Sequence, residues 1–211
     1  MPNYVHHTYE GGGIAIWHIT ETADELYAQL GTHRYDAQLA EKKNESRRAE
    51  WLAVRLLVKE LFGSEAEVAY HPTGRPYLKN GTAHISISHT KGFAAVAYHH
   101  DAPIGMDIEY ISSRVERIAS RFTTQVEASY IDVHDEHARQ MYHLINWSAK
   151  ETLYKLFDSP SMAEFKEVFH IAPYTLGECG AMDATVCGAE KSVLAVSYRT
   201  FPEFVCTWAV L

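Results

Sequence analysis

Residues 104–110 read Ile104-Gly105-Met106-Asp107-Ile108-Glu109-Tyr110, a short apolar run with two acidic residues. The alternation predicts a β-strand, in which side chains two positions apart share a face. Asp107 and Glu109 therefore project together, while Met106 and Ile108 face the core. Two adjacent carboxylates repel unless a cation lies between them, and hard divalent metals such as Mg²⁺ prefer such oxygen ligands. The alternative is an edge strand whose acidic face contacts water.

The same order of elements occurs twice along the chain. The matching segments are separated by 92, 96 and 100 residues, measured from Ile16 to Ile108, from Trp51 to Trp147 and from Tyr98 to Tyr198. Nearly constant separations predict two copies of one unit of about a hundred residues. Each copy has the order strand, helix, helix and further strands, which is typical of an α+β unit. We therefore predict an α+β fold of two similar halves, residues 1–103 and 104–211, related by pseudo-twofold symmetry.

Hydrophobic periodicity predicts further elements. Predicted strands lie near residues 13–19, 83–88, 92–99, 168–171, 192–198 and 204–210. Predicted helices lie near residues 21–30, 44–62, 113–121 and 136–157. The second of these helices carries an apolar stripe that includes Leu52 and Leu56, and it ends at Gly63. Arg55 lies beside the stripe, where a surface position is expected.

The composition limits the class of protein. The chain has 211 residues, 46% of them hydrophobic, and a formal net charge of −8. This charge argues against a nucleic-acid-binding protein, since such domains are usually basic. The apolar stretches are too short to span a bilayer, and the N-terminus lacks the pattern of a signal peptide. Three cysteines without metal-ligand spacing predict reduced thiols, so we expect a soluble cytoplasmic protein.

A further acidic motif lies in the predicted helix 136–157, which contains Trp147-Ser148-Ala149-Lys150-Glu151-Thr152-Leu153-Tyr154-Lys155. Glu151 and Lys155 are four residues apart, so they lie one above the other on a helix face. An ordinary surface ion pair has the same spacing. Beside Asp107 and Glu109, this pair offers a third carboxylate and a cation suited to a phosphate oxygen.

Two motifs of the first half could contact an anion. Ser88 and His89 end a predicted strand before Gly92, where a turn-capping serine and an exposed histidine are the alternative. Gly74-Arg75-Pro76-Tyr77 predicts a rigid turn that presents a guanidinium, although turn chemistry alone explains the glycine and the proline. The sequence contains neither a Gly-x-Ser-x-Gly elbow nor a phosphate-binding P-loop.

Taken together, these motifs resemble those of the 4′-phosphopantetheinyl transferase superfamily. The shared motifs, in order, are Gly-Arg-Pro-Tyr, Ser-His, Ile-Gly-Met-Asp-Ile-Glu and Trp-Ser-Ala-Lys-Glu-x-x-x-Lys, and the resemblance runs from Arg47 to Lys155. The resemblance is to the larger, two-halved type, the surfactin-synthetase-activating type, which activates carrier domains. Arg75 departs from the pattern, because many members have lysine there; the charge is kept but its geometry changes.

The resemblance implies an enzyme, a phosphopantetheinyl transferase of the holo-[acyl-carrier-protein] synthase type. Such an enzyme moves the phosphopantetheine arm of coenzyme A to a serine of an acyl or peptidyl carrier protein and releases adenosine 3′,5′-bisphosphate. By this resemblance, Asp107, Glu109 and Glu151 would bind Mg²⁺, which also contacts the pyrophosphate. Glu151 would accept the serine proton, directly or through a water, and Lys155 would steady the leaving group.

The resemblance also implies contacts between coenzyme A and the first half. Ser88 and His89 would contact the 3′-phosphate together with Arg48. The adenine end would be held by the turn residues Arg75, Pro76 and Tyr77. Arg47 is the neighbouring alternative, and we favour Arg48 because it lies nearer the apolar stripe of its helix.

The partners implied are coenzyme A and a carrier protein, with no nucleic acid and no membrane, and a monomer is the simplest expectation. A docking surface for the carrier is predicted in segment 111–130; an ordinary amphipathic helix is the alternative. The residues that suggest this surface are Arg114, Arg117, Arg121, Phe122 and Tyr130. Two other functions stay open, namely another Mg²⁺-dependent enzyme acting on a pyrophosphate and a catalytically silent coenzyme A-binding protein.

Overall fold

The computed structural model describes residues 4–131, 134–157, 165–188 and 191–211. The strands are β1 (Tyr4–Tyr9), β2 (Gly12–His18), β3 (Val68–Tyr70), β4 (Pro76–Leu78), β5 (His84–Thr90), β6 (Phe93–His99), β7 (Ile104–Tyr110), β8 (Phe169–Ile171), β9 (Cys179–Cys187), β10 (Lys191–Thr200) and β11 (Phe204–Val210). The helices are α1 (Ala23–Leu30), α2 (Asp36–Ala40), α3 (Glu45–Phe62), α4 (Ala119–Phe122), α5 (Gln125–Ile131), α6 (Glu136–Phe157) and α7 (Phe165–Val168). The chain divides into two compact units, Met1–Ala102 and Pro103–Leu211.

The first unit packs α3 against an antiparallel sheet of order β1-β2-β6-β5, and α1 packs against α3. Asn44 caps α3 by accepting a hydrogen bond from the Ser46 amide, and the helix ends at Gly63, as predicted. The predicted apolar stripe is buried in the core of this unit. Strands β3 and β4 form a separate hairpin.

Arg55 is buried in this core, so the expected surface position is wrong. Its side chain is 3% exposed, and its guanidinium stacks 3.6 Å from the ring centroid of Trp51. It also donates a hydrogen bond of 3.2 Å to the hydroxyl of Tyr70 at the end of β3. The aromatic face replaces part of the lost hydration of the cation, which periodicity alone does not reveal.

The second unit packs α6 against β7 and β11 of a sheet with order β7-β11-β10-β9-β8. Gly105 permits a close approach between β7 and α6, because a Cβ there would lie 2.8 Å from the Cβ of Leu156 and nearer still to the carbonyl oxygen of Thr152. This approach places the acidic residues of β7 beside the later turns of α6.

The α+β class is confirmed, and pseudo-twofold symmetry between the halves stays a prediction. One proposed correspondence between the halves is wrong, because the strand orders disagree with it. In the first unit β6 pairs directly with β2, whereas in the second unit the direct partner of β7 is β11. The counterpart of β6 is therefore β11 and not β10, so residues 193–198 resemble residues 93–98 only in being apolar strands.

The predicted helix near residues 113–121 is also wrong in its extent. A single 3₁₀ turn covers Glu116–Ile118, and α4 follows it over Ala119–Phe122. No helix in the described ranges has both the length and the apolar character of a membrane span.

Candidate active site

Asp107 lies at the centre of the acidic site on β7. Its side chain is almost fully buried, and Lys155 of α6 approaches it with a distance of 2.8 Å between Nζ and Oδ1. Lys155 also donates to the carbonyl oxygen of Met106 at 3.2 Å. The other carboxylate oxygen of Asp107 accepts a 2.9 Å hydrogen bond from Ser148 Oγ. Both oxygens of this carboxylate therefore have fixed partners from α6.

Glu109 lies two residues further along the same face of β7. Its Oε1 accepts a 2.7 Å hydrogen bond from the indole Nε1 of Trp147. Burial, and then the charge of Asp107, raise the pKa of Glu109 to about 7, against the opposing effects of Trp147 and Lys155. Such a pKa marks a carboxylate whose charge is poorly compensated in the protein alone.

Glu151 adds the third carboxylate from α6. It accepts no hydrogen bond from any residue in the described part of the chain. Burial, and then the charge of Asp107, raise its pKa to about 7, while Lys155 acts in the opposite direction. The structure therefore brings together Asp107, Glu109 and Glu151, below called the carboxylate cluster, with Lys155 beside them.

The carboxylate cluster can be tested for its fit to Mg²⁺. Across residues 4–131, 134–157, 165–188 and 191–211, no three His, Cys, Asp or Glu side chains are gathered as a ready metal-ligand group. The chemistry of the donors nevertheless suits a hard divalent cation, since all three are carboxylates. Burial, and then repulsion from Asp107, raises the pKa values of Glu109 and Glu151, which leaves a demand for positive charge that Lys155 does not meet. The residues therefore fit the ion in chemistry and in charge.

Lys150 has a structural role that the motif alone did not reveal. Lys150 and Glu127 are both fully buried and form an ion pair of 2.9 Å. Lys150 also donates to the Phe122 carbonyl at 2.5 Å, and Glu127 accepts from the backbone amides of Thr124 and Ile171 at 2.7 and 2.8 Å. Burial lowers the pKa of Lys150, and Glu127 opposes this. The pair therefore joins α6 to α5, and Glu127 extends the connection to Ile171 of β8. Lys150 precedes Glu151, so this anchor lies beside the carboxylate cluster.

In the first unit, the structure brings Arg47 and not Arg48 to His89. Arg47 Nη1 lies 3.1 Å from His89 Nε2 and also 3.1 Å from a carboxylate oxygen of Glu50. Arg48 pairs instead with Asp24 at 3.7 Å and Glu45 at 3.9 Å. Adjacent residues of a helix point about 100° apart, so Arg47 and Arg48 have different neighbours. That Arg48 contacts coenzyme A stays a prediction, and the contact with His89 makes Arg47 its competitor.

The other first-half residues lie on two neighbouring segments. Ser88 is buried on β5, and His89 follows it with a side chain that is 41% exposed. Pro76 begins β4, and the ring of Tyr77 contacts that of His71 at a tilt of 37°, with centroids 4.5 Å apart. The predicted turn before β4 is present, with Gly74 at a positive φ of 92° that favours glycine. Arg75 lies half-buried in this turn.

Two cavities of about 460 and 360 Å³ lie in the first unit. The larger is lined by Arg48, Lys42, Tyr27, Asp24 and Asp36, among others. Neither includes a residue of the carboxylate cluster, which is formed at a sheet–helix junction.

The predicted docking segment is only partly a surface. Arg114, Arg117 and Arg121 are exposed. Phe122 is 1% exposed, and the Tyr130 hydroxyl accepts a 2.8 Å hydrogen bond from Asn146. The expectation that Phe122 contributes to a docking patch is therefore wrong, because its ring packs inward against α6. Tyr130 is half-buried, and its part in such a patch stays a prediction.

The segment that contains the carboxylate cluster matches a known protein family. Residues 103–198 match the family model described as the 4′-phosphopantetheinyl transferase superfamily. No curated protein matches the chain. The match contains all three residues of the carboxylate cluster and Lys155, and it confirms the superfamily resemblance of these motifs.

Proposed function

Residues 103–198 belong to the 4′-phosphopantetheinyl transferase superfamily, and we propose that the chain transfers the phosphopantetheine arm of coenzyme A to a serine of an acyl or peptidyl carrier protein. The observation that carries this proposal is the carboxylate cluster beside Lys155, on a strand and a helix of the matched segment. We further propose the two-halved type, of the holo-[acyl-carrier-protein] synthase class.

The proposed reaction is a displacement at phosphorus. The serine oxygen of the carrier forms a bond to the β-phosphorus of coenzyme A, and the bond from that phosphorus to the bridging oxygen breaks. Adenosine 3′,5′-bisphosphate leaves with the electron pair of this bond. Such transfers depend mainly on alignment and on neutralising the charge that develops on the phosphate oxygens.

Glu151 is the residue we propose to accept the serine proton, directly or through a water. A general base must be ionised to accept a proton, and the charge of a bound Mg²⁺ would favour the ionised form of Glu151 against the effect of burial, which raises its pKa. Because the carboxylate accepts no hydrogen bond from the described residues, its lone pairs are available to a substrate hydroxyl. A positioned base of this kind contributes roughly 10²–10⁴ to the rate.

Asp107, Glu109 and Glu151 would hold Mg²⁺. When bound, this ion would draw the pyrophosphate to the cluster and neutralise its charge. Lys155 would contribute a further cation to the leaving group, and its bond to Asp107 keeps the ammonium at the site.

In the first unit, we propose that Ser88 and His89 contact the 3′-phosphate, with Arg47 as their cationic partner. Its hydrogen bond to His89 supports this choice over Arg48. The adenine end would be held by Arg75, Pro76 and Tyr77, and Tyr77 is 37% exposed.

A carrier protein would dock at the exposed arginines that follow β7. Carrier domains are usually acidic, and this chain has a net charge of −8, so a local positive surface is needed for encounter. Arg114, Arg117 and Arg121 supply one, and they lie in the same unit as the carboxylate cluster. We propose that the chain acts as a cytoplasmic monomer, which its three free cysteines suit.

Release of adenosine 3′,5′-bisphosphate from coenzyme A separates this proposal from its alternatives. Chromatography should detect the product only when an apo carrier protein and Mg²⁺ are both present, and addition of EDTA should stop its release. Release without a carrier would indicate a different enzyme acting on the pyrophosphate. Binding of coenzyme A without release, across several acyl and peptidyl carriers, would indicate a catalytically silent binding protein.

A further inference from the structure

Three buried hydroxyls lie in a row behind Asp107. Thr152 Oγ1 is 2.7 Å from Thr207 Oγ1, which is 2.9 Å from Ser148 Oγ. Ser148 Oγ in turn donates to Asp107 Oδ2 at 2.9 Å. All three hydroxyl residues have no exposed surface, so the row ends at the carboxylate without contact with bulk water.

The chemistry of the groups gives this row a direction. An ionised carboxylate only accepts hydrogen bonds, so Ser148 must give its single proton to Asp107. Ser148 can then only accept, and the nearest hydroxyl able to donate to it is that of Thr207. The Thr152 hydroxyl can in turn donate to the Thr207 hydroxyl, or to the carbonyl oxygen of Thr207 at 3.1 Å. Aligned hydrogen bonds of this kind strengthen one another in a low-dielectric interior.

Thr207 is placed by the fold and not by any motif. It lies on β11 directly opposite Asp107 on β7, so the two residues are cross-strand neighbours. Ser148 and Thr152 are one turn apart on α6, where both can reach the β11 residue between them. Residue 207 lies outside the segment that matches the superfamily, which ends at residue 198.

We infer that Thr207 is a positioning residue for the carboxylate cluster, acting on Asp107 through Ser148. It orients the Ser148 hydroxyl toward Oδ2, which leaves Oδ1 turned toward Lys155. This inference rests on the proposed function, since the orientation of Asp107 matters most if that carboxylate binds Mg²⁺. Outer partners of metal ligands typically change metal affinity or activity by about 10–100-fold when they are removed.

Thr207→Val tests this role, because valine keeps the shape of threonine and removes the hydroxyl. Calorimetric titration of the full chain with Mg²⁺ should show an affinity about 10–100-fold below that of the wild type. Thr207→Ser keeps the hydroxyl and should stay within about threefold of the wild type, well inside the loss expected when an outer partner is removed. Thr185→Val is the matched control: it makes the same change on β9 of the same sheet, where the Thr185 hydroxyl makes no hydrogen bond with the described residues, and it should leave the affinity unchanged.

The outcomes separate this inference from the proposed function. Wild-type Mg²⁺ affinity in folded Thr207→Val would overturn the inference while leaving the transferase proposal standing. A wild-type protein that neither binds Mg²⁺ nor transfers would overturn the proposed function, and the inference with it. If circular dichroism shows that Thr207→Val does not fold, Ser148→Ala cuts the same row next to Asp107. Undiminished Mg²⁺ affinity in that variant would equally overturn the inference.

Discussion

Lys155 Nζ lies 2.8 Å from Asp107 Oδ1, so an ammonium on α6 is paired with a carboxylate on β7. Glu109 and Glu151 border this pair, and the pKa of each is raised to about 7. Among the described residues, Lys155 and the more distant charge of Arg114 oppose three carboxylates in a partly buried site. This imbalance is what a divalent cation would correct, and it makes the site sensitive to both pH and substitution.

Removing the charge of Glu151 should stop transfer without unfolding the chain. Glu151→Gln should lower kcat by roughly 10²–10⁴, because it removes both a base and a Mg²⁺ ligand from the proposed site. The measurement is the rate of phosphopantetheine transfer at saturating coenzyme A, with circular dichroism as the test of folding. Glu178→Gln makes the same change at an exposed position of the second unit and should behave as the wild type. Full activity in Glu151→Gln would remove Glu151 from the mechanism.

The same substitution should stabilise the metal-free protein at alkaline pH. A carboxyl whose pKa is raised by folding adds stability below about pH 4.5, and this stability is lost as the pH rises through about 7. At pH 8, Glu151→Gln should therefore raise the free energy of unfolding by on the order of 3 kcal/mol. Below the unfolded pKa, both forms are neutral and the gain should disappear. Urea denaturation in EDTA at several pH values measures the difference, and a gain that does not depend on pH would contradict the assignment.

Arg47 and Arg48 can be distinguished by the 3′-phosphate of coenzyme A. Arg47→Ala should raise KM for coenzyme A by roughly 10–100-fold, since it removes a charge-assisted hydrogen bond to a phosphate. The effect should be much smaller with dephospho-coenzyme A, which lacks this phosphate. Arg48→Ala is the matched variant one residue away. It should change little the KM for coenzyme A or the KM for dephospho-coenzyme A, because the guanidinium of Arg48 pairs with Asp24 and Glu45. The reverse pattern would restore Arg48 to the role expected from the sequence.

Lys155→Ala should lower turnover more than it weakens coenzyme A binding. The ammonium is proposed to stabilise charge that develops on the leaving group, so its loss should cost roughly 10²-fold in kcat. KM for coenzyme A should change much less. Steady-state kinetics give both constants, and Lys191→Ala, on the exposed start of β10, serves as the control. A change confined to KM would show that Lys155 acts in binding alone.

Removing one partner of the buried pair of Lys150 and Glu127 should strongly destabilise the second unit. Lys150→Met should lower the free energy of unfolding by about 3–5 kcal/mol, because it leaves Glu127 buried without its cation. Lys166→Met changes an exposed lysine and should cost less than about 0.5 kcal/mol. Adding Glu127→Gln to Lys150→Met should recover part of the loss, since the uncompensated charge is removed. Equal urea midpoints for Lys150→Met and Lys166→Met would contradict the prediction that Glu127 is destabilising when it is buried without Lys150.

Much of the frame of the site could be predicted from the sequence. The strand around Asp107 and the helix over residues 136–157 have clear periodicity, and their observed bounds are Ile104–Tyr110 and Glu136–Phe157. Strand β1 is absent from the sequence-based prediction because its sequence has weak apolar alternation. Strand β9 is absent from it although Met182, Ala184 and Val186 alternate with Asp183 and Thr185. Each is a strand because it pairs with a strongly patterned neighbour, β2 for one and β10 for the other.

Contacts between distant residues could not be predicted from the sequence. Nothing near Lys150 indicates that its partner is Glu127, which is 23 residues earlier and on another helix. Thr207 likewise belongs to no motif, and only the pairing of β11 with β7 sets it opposite Asp107. Arg47 and Arg48 differ only in their angle around α3, and it is the position of His89 on β5 that distinguishes them.

The most direct test of the central claim is the intact mass of an apo carrier protein after incubation with this chain, coenzyme A and Mg²⁺. The carrier should gain the mass of one phosphopantetheine group, the gain should map to its serine, and EDTA or Glu151→Gln should prevent it. No gain on several acyl and peptidyl carriers, with the chain folded and coenzyme A bound, would contradict the proposed transfer.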